Sequence, residues 1–225
     1  MLHVHIRSGD RLLAGRLYGP EQARPAILFL HGLHSSQAGY ADRAQKAVED
    51  LGAVCATFDL GGHGASSGVA DALSLRDHLA DAMAAYDRLV AERDVDPARV
   101  AIVAASYGAF LAALLTARRP VARLVLRAPA LYDDRDIDVP AVSRTALDRP
   151  RTTSAALEAL RRFERPVLII ESERDETITA STIEAYREAC ALGEHFVIGG
   201  AGHELSQSRW REAFLRASIE FLQGL

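Results

Sequence analysis

Short, continuously apolar runs alternate with longer helical patterns along most of this 225-residue chain. The runs that have the length of strands are residues 26–30, 53–58, 99–104, 122–128, 166–170 and 195–199. Continuous apolarity is typical of strands that are covered on both faces. Strands that alternate with helices imply parallel crossover units. The pattern therefore predicts an α/β fold, a mostly parallel sheet with helices on both faces.

The start of the chain has a different pattern. Two strand-like segments, residues 2–6 and 11–18, flank Ser8-Gly9-Asp10, which has the composition of a tight turn. We expect this N-terminal hairpin to form an antiparallel edge of the sheet.

Two stretches carry apolar residues at spacings of three and four, which is typical of an amphipathic helix. The first is residues 75–90, and Ser74 and Asp77 have the spacing of a capping box at its start. The second lies near the C-terminus, where Ser206 or Ser208 is the expected cap. Its apolar positions, which we expect in the core and not in a ligand stripe, are Trp210, Phe214, Ala217 and Phe221.

Composition and charge argue against several classes of function. The chain has 26 basic and 30 acidic residues, and its arginines are scattered among acids, so we expect no nucleic-acid partner. The apolar runs are too short to span a bilayer, and the N-terminus has no apolar segment of signal-peptide length. Cys55 and Cys190 lack a CxxC spacing and are expected to be buried thiols. We expect a cytoplasmic protein with no membrane partner and one domain over 1–225.

Residues 131–165 interrupt the alternation of strands and helices. They contain several aspartates and prolines and one short helical stretch. This interval is too long for a simple connection in a compact domain. We interpret it as a small cap or lid inserted between two strands, and a solvated loop is the alternative.

Five polar residues follow predicted strands, where ligands bind in open parallel sheets, and we expect one edge of the sheet to gather them: His31, Asp59, Ser106, Asp175 and His203. Three of these, Ser106, Asp175 and His203, occur in the chain order Ser, Asp, His. A serine hydroxyl needs a neighbouring base, and histidine suits that task near neutral pH. A carboxylate then orients the imidazole. We therefore predict Ser106 as the nucleophile, His203 as the general base and Asp175 as the acid.

Each of these assignments has an alternative. Ser106 lies in "AASYG", which lacks the first glycine of a Gly-x-Ser-x-Gly elbow, so this serine is either a nucleophile or a helix cap. We expect the elbow to tolerate a small residue at Ala104 and to require Gly108. The rivals of Asp175 are Glu171, Glu173 and Glu176.

Histidine pairs raise the question of a metal site. His3 and His5 share one strand face, and His31 and His34 are three residues apart. Neither pair has nearby cysteines or a third convergent ligand, so we expect no metal and no cofactor.

Four segments together resemble the α/β-hydrolase superfamily, and the resemblance extends from about residue 10 to the C-terminus. In chain order the segments are "LFLHGLHSS", "DLGGHGASSG", "PVLIIESERDETIT" and "GGAGHEL". The chain is most similar to small serine hydrolases, including cinnamoyl and feruloyl esterases. The resemblance implies an oxyanion hole made by the backbone N–H groups of Leu33 and Tyr107. It also implies that His31 supports the oxyanion turn, while His63 and Asp59 have structural roles in a glycine-rich loop.

The activity that the resemblance implies is hydrolysis of a small-molecule carboxylic ester through an acyl-enzyme intermediate. Thioesterases, amidases and carbon–carbon bond hydrolases use the same groups, so the bond type stays open. A non-catalytic small-molecule receptor on the same fold is the remaining alternative.

Overall fold

The computed structural model describes residues 1–19, 24–141 and 154–225. Within these ranges eight strands form one sheet in the order β1-β2-β4-β3-β5-β6-β7-β8. Strands β3 to β8 run parallel to their neighbours in this set, while β1 pairs antiparallel with β2 and β2 with β4. The strands are β1 Leu2–Ser8, β2 Arg11–Tyr18, β3 Arg24–Leu30, β4 Val54–Phe58, β5 Val95–Ala105, β6 Arg123–Arg127, β7 Val167–Ser172 and β8 Gly193–Ile198.

Helices cover both faces of the sheet, as the sequence predicts. On one face of the sheet, side chains of α1 and α6 pack with strand residues into one hydrophobic core. On the opposite face, side chains of α2 to α5 pack with strand residues into a second core. The helices are α1 Ala41–Leu51, α2 Leu75–Val90, α3 Tyr107–Thr116, α4 Ala155–Arg161, α5 Ala180–Ala189 and α6 Ser208–Leu222. None of the helices in the described ranges is both long and apolar enough to cross a membrane.

A strand that is covered on both faces should be buried along its whole length. Every residue of β4 is buried, as expected for a strand with helices on both sides. The N-terminal hairpin is confirmed: Ser8 pairs with Arg11, and Gly9 has a φ of 59°, which suits a two-residue turn. Cys55 and Cys190 are free and buried, as predicted.

The helix ends confirm one expected cap and correct another. Asp77 N–H donates to Ser74 Oγ, and Ser74 N–H donates back to the Asp77 carboxylate, which completes the predicted capping box of α2. The expectation of Ser206 or Ser208 as the cap of α6 is wrong. Gln207 holds the extended N-cap position without a side-chain bond, and Ser208 is already helical.

Aromatic residues of α6 lie against the core, as predicted. Phe214 and Ala217 are buried. Trp210 and Phe221 are half-buried and pack against the same core.

Part of the predicted cap lies outside the described residues. Positions 142–153 belong to that part, so the cap and the single-domain boundary stay predictions. On its C-terminal side, α4 buries Ala156 and Leu160 in the core that α3 also lines.

Candidate active site

The turn between β5 and α3 carries Ser106 in a conformation that is rare for a residue with a side chain. Its φ is 52° and its ψ is −118°. The turn is held because Ser106 N–H donates to the Arg127 carbonyl at 2.9 Å, while the Ser106 carbonyl accepts from Ala130 N–H at 3.1 Å. The Ser106 side chain makes no capping bond to α3. Ser106 thus holds the N-cap position of α3 without acting as a side-chain cap.

The residues on either side of this turn fit the steric expectation. An added Cβ on Gly108 would lie 2.5 Å from the His31 carbonyl oxygen and 2.6 Å from that of Leu30. Real side chains do not reach such distances, so α3 approaches β3 this closely only with glycine at 108. Ala104 is fully buried in β5, where a methyl group is accommodated.

The loop between β8 and α6 brings His203 to the serine. His203 Nε2 lies 3.1 Å from Ser106 Oγ. His203 Nδ1 lies 2.9 Å from Asp175 Oδ2 and 3.1 Å from Oδ1. A carboxylate only accepts, so Nδ1 carries the proton in the neutral ring and Nε2 is left to accept from the serine hydroxyl.

The Asp175 carboxylate is fixed by the turn after β7. Its side chain is 5% exposed, and Oδ1 accepts from the N–H groups of Thr177 at 2.9 Å and Ile178 at 2.8 Å. Burial raises the pKa of this carboxyl, but the hydrogen bonds from His203, Ile178 and Thr177 outweigh burial, and the net pKa is lowered. Asp175 is therefore charged at neutral pH.

The three rival carboxylates are elsewhere. Glu171 faces His195 at 2.8 Å, and Glu173 accepts from Gly200 N–H at 2.6 Å. Glu176 is exposed and makes no contact with His203 among the described residues. Of these four carboxylates, Asp175 is the one that contacts His203.

The two residues predicted to supply oxyanion donors, Leu33 and Tyr107, lie close to the serine. An added Cβ on Gly32 would lie 3.4 Å from Ser106 Cβ and 3.9 Å from its Oγ, so the turn that carries Leu33 packs against the serine. Tyr107 is the first residue of α3, and N–H groups of the first helical turn point out of the N-terminus. The Tyr107 side chain is fully buried, and its hydroxyl lies 2.7 Å from His78 Nδ1.

His31 has the structural role expected of it. Its Nε2 accepts from Leu60 N–H at 3.0 Å, so Nδ1 carries the proton and donates to the Gly32 carbonyl at 2.7 Å. Burial lowers the pKa of His31 to about 4, so the ring is neutral at neutral pH. The ring thereby ties the oxyanion turn to the loop after β4.

The glycine-rich loop is tied to the same turn by Asp59 and His63. The Asp59 carboxylate accepts from Gln37 N–H at 2.7 Å and from Ala65 N–H at 3.0 Å. His63 Nε2 accepts from His34 N–H at 3.2 Å. Both residues act as structural hydrogen-bond partners, as expected.

A cavity of about 250 Å³ opens beside Ser106, and its lining includes residues that no sequence pattern had indicated. Three are arginines: Arg43, Arg127 and Arg211. Arg127 is the last residue of β6, so the strand-end rule that finds Ser106 applies to it as well. Arg43 and Arg211 lie within helices and had no such signal.

In the part of the chain that the structure describes, no three histidine, cysteine, aspartate or glutamate side chains are arranged to hold a metal ion.

Comparison with known proteins identifies the family of this chain. The chain matches the family described as "serine aminopeptidase, S33" over residues 21–148. The chain belongs to this family of α/β hydrolases. It is 31% identical over 208 residues to an uncharacterized protein of Mycobacterium tuberculosis, covering 89% of this chain and 71% of that relative.

Solved structures support the fold of this hydrolase. It is similar to Est1E from Butyrivibrio proteoclasticus with bound ferulic acid, at a TM-score of 0.76 and 18% identity over 97% of this chain and 99% of that one. It is also similar to the enol-lactonase from Burkholderia xenovorans LB400, at a TM-score of 0.75 and 14% identity over the same shares.

The elbow makes a steric prediction. Gly108→Val should destroy activity and lower thermal stability, because its Cβ would collide with the backbone of β3. Ala104→Gly should keep activity near wild type and cost about 0.5–1 kcal/mol of stability, the usual penalty of glycine in a strand. Steady-state hydrolysis and thermal unfolding measure both effects.

Gly199→Val is the matched control, because nothing lies within 4 Å of its added Cβ. We expect this variant to retain activity. Loss of activity in Ala104→Gly, or an active Gly108→Val, would contradict the steric account of the elbow.

Proposed function

We propose that this hydrolase is a serine esterase that cleaves a small-molecule carboxylic ester with Ser106, His203 and Asp175. One observation carries the proposal: Ser106 Oγ, on a strained turn, is within hydrogen-bond distance of His203 Nε2, whose other nitrogen faces a charged carboxylate. Nucleophile, base and orienting acid thus form one continuous chain of contacts.

Acylation follows from this arrangement. Ser106 Oγ attacks the ester carbonyl carbon while its proton passes to His203 Nε2. The carbonyl oxygen becomes an oxyanion, and the backbone N–H groups of Leu33 and Tyr107 donate to it. Each such donor contributes about 3 kcal/mol to transition-state stabilisation. The N-terminus of α3 adds its positive dipole end at the same position.

Collapse of the tetrahedral intermediate completes acylation. The C–O bond to the leaving group breaks, and His203 gives its proton to the departing alcohol. Deacylation then repeats the sequence with water: His203 takes a water proton, the water oxygen attacks the acyl carbon, and the proton returns to Ser106 as the carboxylic acid leaves. Asp175 keeps Nδ1 protonated and stabilises the imidazolium in both halves.

The choice of an ester rests on likeness to esterases. The structural neighbours include Est1E with ferulic acid bound and a thermophilic esterase from Thermogutta terrifontis with malate bound. Amide cleavage is the second candidate, favoured by the description of the family as serine aminopeptidases. A binding role without chemistry has less support, because it leaves the contacts of Ser106 with His203 without a purpose.

A fluorophosphonate probe tests the nucleophile. The probe should label the wild type covalently and fail to label Ser106→Ala. Ser35→Ala is the matched control, because Ser35 lines the same cavity but makes no hydrogen bond to a histidine within the described residues. That control should label normally. Labelling of Ser106→Ala at the wild-type rate would mean that another serine is the nucleophile.

The acid is tested by comparing two isosteric changes. Asp175→Asn should lower kcat for a 4-nitrophenyl ester by a factor on the order of 10³–10⁴, because the amide no longer enforces the required His203 tautomer. Glu173→Gln removes a carboxylate two residues away that bonds Gly200 instead, and it should stay near wild type. Equal losses in the two variants would contradict the assignment of Asp175.

A further inference from the structure

The cavity beside Ser106 carries an excess of positive charge. Its cationic side chains come from three separate elements: Arg43 from α1, Arg127 from the end of β6 and Arg211 from α6. Among the described residues that line it, Glu204 is the single carboxylate, and its side chain is exposed.

These arginines donate to backbone carbonyls but lack, among the described residues, the carboxylate partners that other arginines of this chain have. Arg211 Nη1 donates to the Leu205 carbonyl at 2.9 Å and to the Ser206 carbonyl at 2.6 Å. Within the described ranges none of the three forms an ion pair with a carboxylate, whereas eight other arginines do. A buried guanidinium without a counter-ion is costly. The cavity therefore has three guanidinium groups that no direct ion pair with a described carboxylate neutralises.

Arg127 is the most buried of the three, at 7% exposed. Its Nη1 donates to the His203 carbonyl at 2.7 Å and lies 3.4 Å from Ser172 Oγ. Among the described residues, Nε and Nη2 have no hydrogen-bond partner. Those two nitrogens form the edge of a guanidinium that donates two parallel hydrogen bonds to a carboxylate.

Arg43 is held in place by aromatic rings. Its guanidinium carbon lies 5.4 Å from the ring centroid of Tyr40 and 5.0 Å from that of Phe214. Its Nη1 donates to the Gly39 carbonyl, and its Nε is buried without a partner. A buried donor without an acceptor is rare and costs free energy until an acceptor is supplied.

The three positive charges also act on one another. Burial lowers the pKa of Arg43, and the charge of Arg211 lowers it further. Burial likewise lowers the pKa of Arg127; the charge of Arg43 adds to this, while Tyr40, Asp175 and Glu204 act in the opposite direction. An anion in the cavity would relieve this repulsion.

We propose that this cavity binds a carboxylate of the substrate, so that the preferred ester has a second, negatively charged group close to the scissile bond. This inference rests on the proposed function for its catalytic meaning. The cavity is smaller than the roughly 300–1,000 Å³ of sites for drug-sized ligands, which suits a short acyl chain that ends in a carboxylate. The same charge disfavours a substrate with a free amino terminus.

Two esters that differ in charge test the preference. Monomethyl glutarate has a free carboxylate, and the methyl ester of glutaramic acid has a neutral amide of nearly the same shape in its place. We expect kcat/KM to be higher for the first by about tenfold or more, and the ratio to fall as salt is added.

Arginine variants test where the preference arises. Arg43→Gln should bring the ratio of the two kcat/KM values close to one, mainly through a higher KM for monomethyl glutarate. Should Arg43→Gln fail to fold, Arg211→Gln on the surface of α6 gives a second measurement, with a reduced ratio expected. Arg209→Gln is the matched control, because Arg209 stacks on Trp210 and does not line the cavity. Its ratio should equal that of the wild type.

A binding measurement separates this inference from the proposed function. Calorimetry on Ser106→Ala, which needs no catalysis, should detect glutarate binding at an affinity about tenfold or more above that of the neutral diamide glutaramide. Equal affinity for glutarate and glutaramide overturns the inference, even when both esters are hydrolysed. Glutarate binding by a protein that hydrolyses neither ester supports the anion site and contradicts the esterase.

Discussion

The close approach of α3 to β3 is the constraint on which the candidate active site depends. Ser106 holds a backbone conformation that costs on the order of 1–3 kcal/mol, and the surrounding structure must impose it. Gly108 permits the approach because its missing side chain leaves room for the carbonyls of Leu30 and His31. The same packing directs the N-terminus of α3 at the serine. The strained turn at Ser106, and the roles proposed for Ser106 and Tyr107, thus depend on one contact between a helix and a strand.

Around this contact, hydrogen bonds tie loops that lie far apart in sequence. His31 joins the oxyanion turn to Leu60, and Asp59 joins the loop after β4 to Gln37. Burial keeps His31 neutral near neutral pH, so its ring donates a hydrogen bond at one nitrogen and accepts one at the other. The turn that carries Leu33 is thereby fixed before substrate arrives, as the proposed mechanism requires of preorganised oxyanion donors.

Much of the fold was predictable because burial on both faces leaves a plain pattern of continuous apolar strands. The positions of Ser106, Asp175 and His203 followed from the rule that functional residues lie at strand ends. Asp175 was preferred to Glu173 because of its place in the segment that resembles the acid-bearing segment of the superfamily, but the backbone N–H groups of Thr177 and Ile178 that fix its carboxylate are not visible in the sequence. The cap of α6 was mispredicted, because the N-cap position depends on local backbone angles and two serines flanked it. Arg43 and Arg211 were missed because an arginine inside an amphipathic helix has the same sequence pattern as a solvated one.

In the proposed mechanism, Ser106 Oγ carries the acyl group during turnover. The most direct test of this role is acid quenching of the wild-type enzyme during hydrolysis of a 4-nitrophenyl ester, followed by digestion and mass spectrometry of the peptides. We predict that the mass of the acyl group appears on the peptide that contains Ser106, and that His203→Ala prevents its accumulation. An acyl adduct on a peptide that lacks Ser106 would contradict the account.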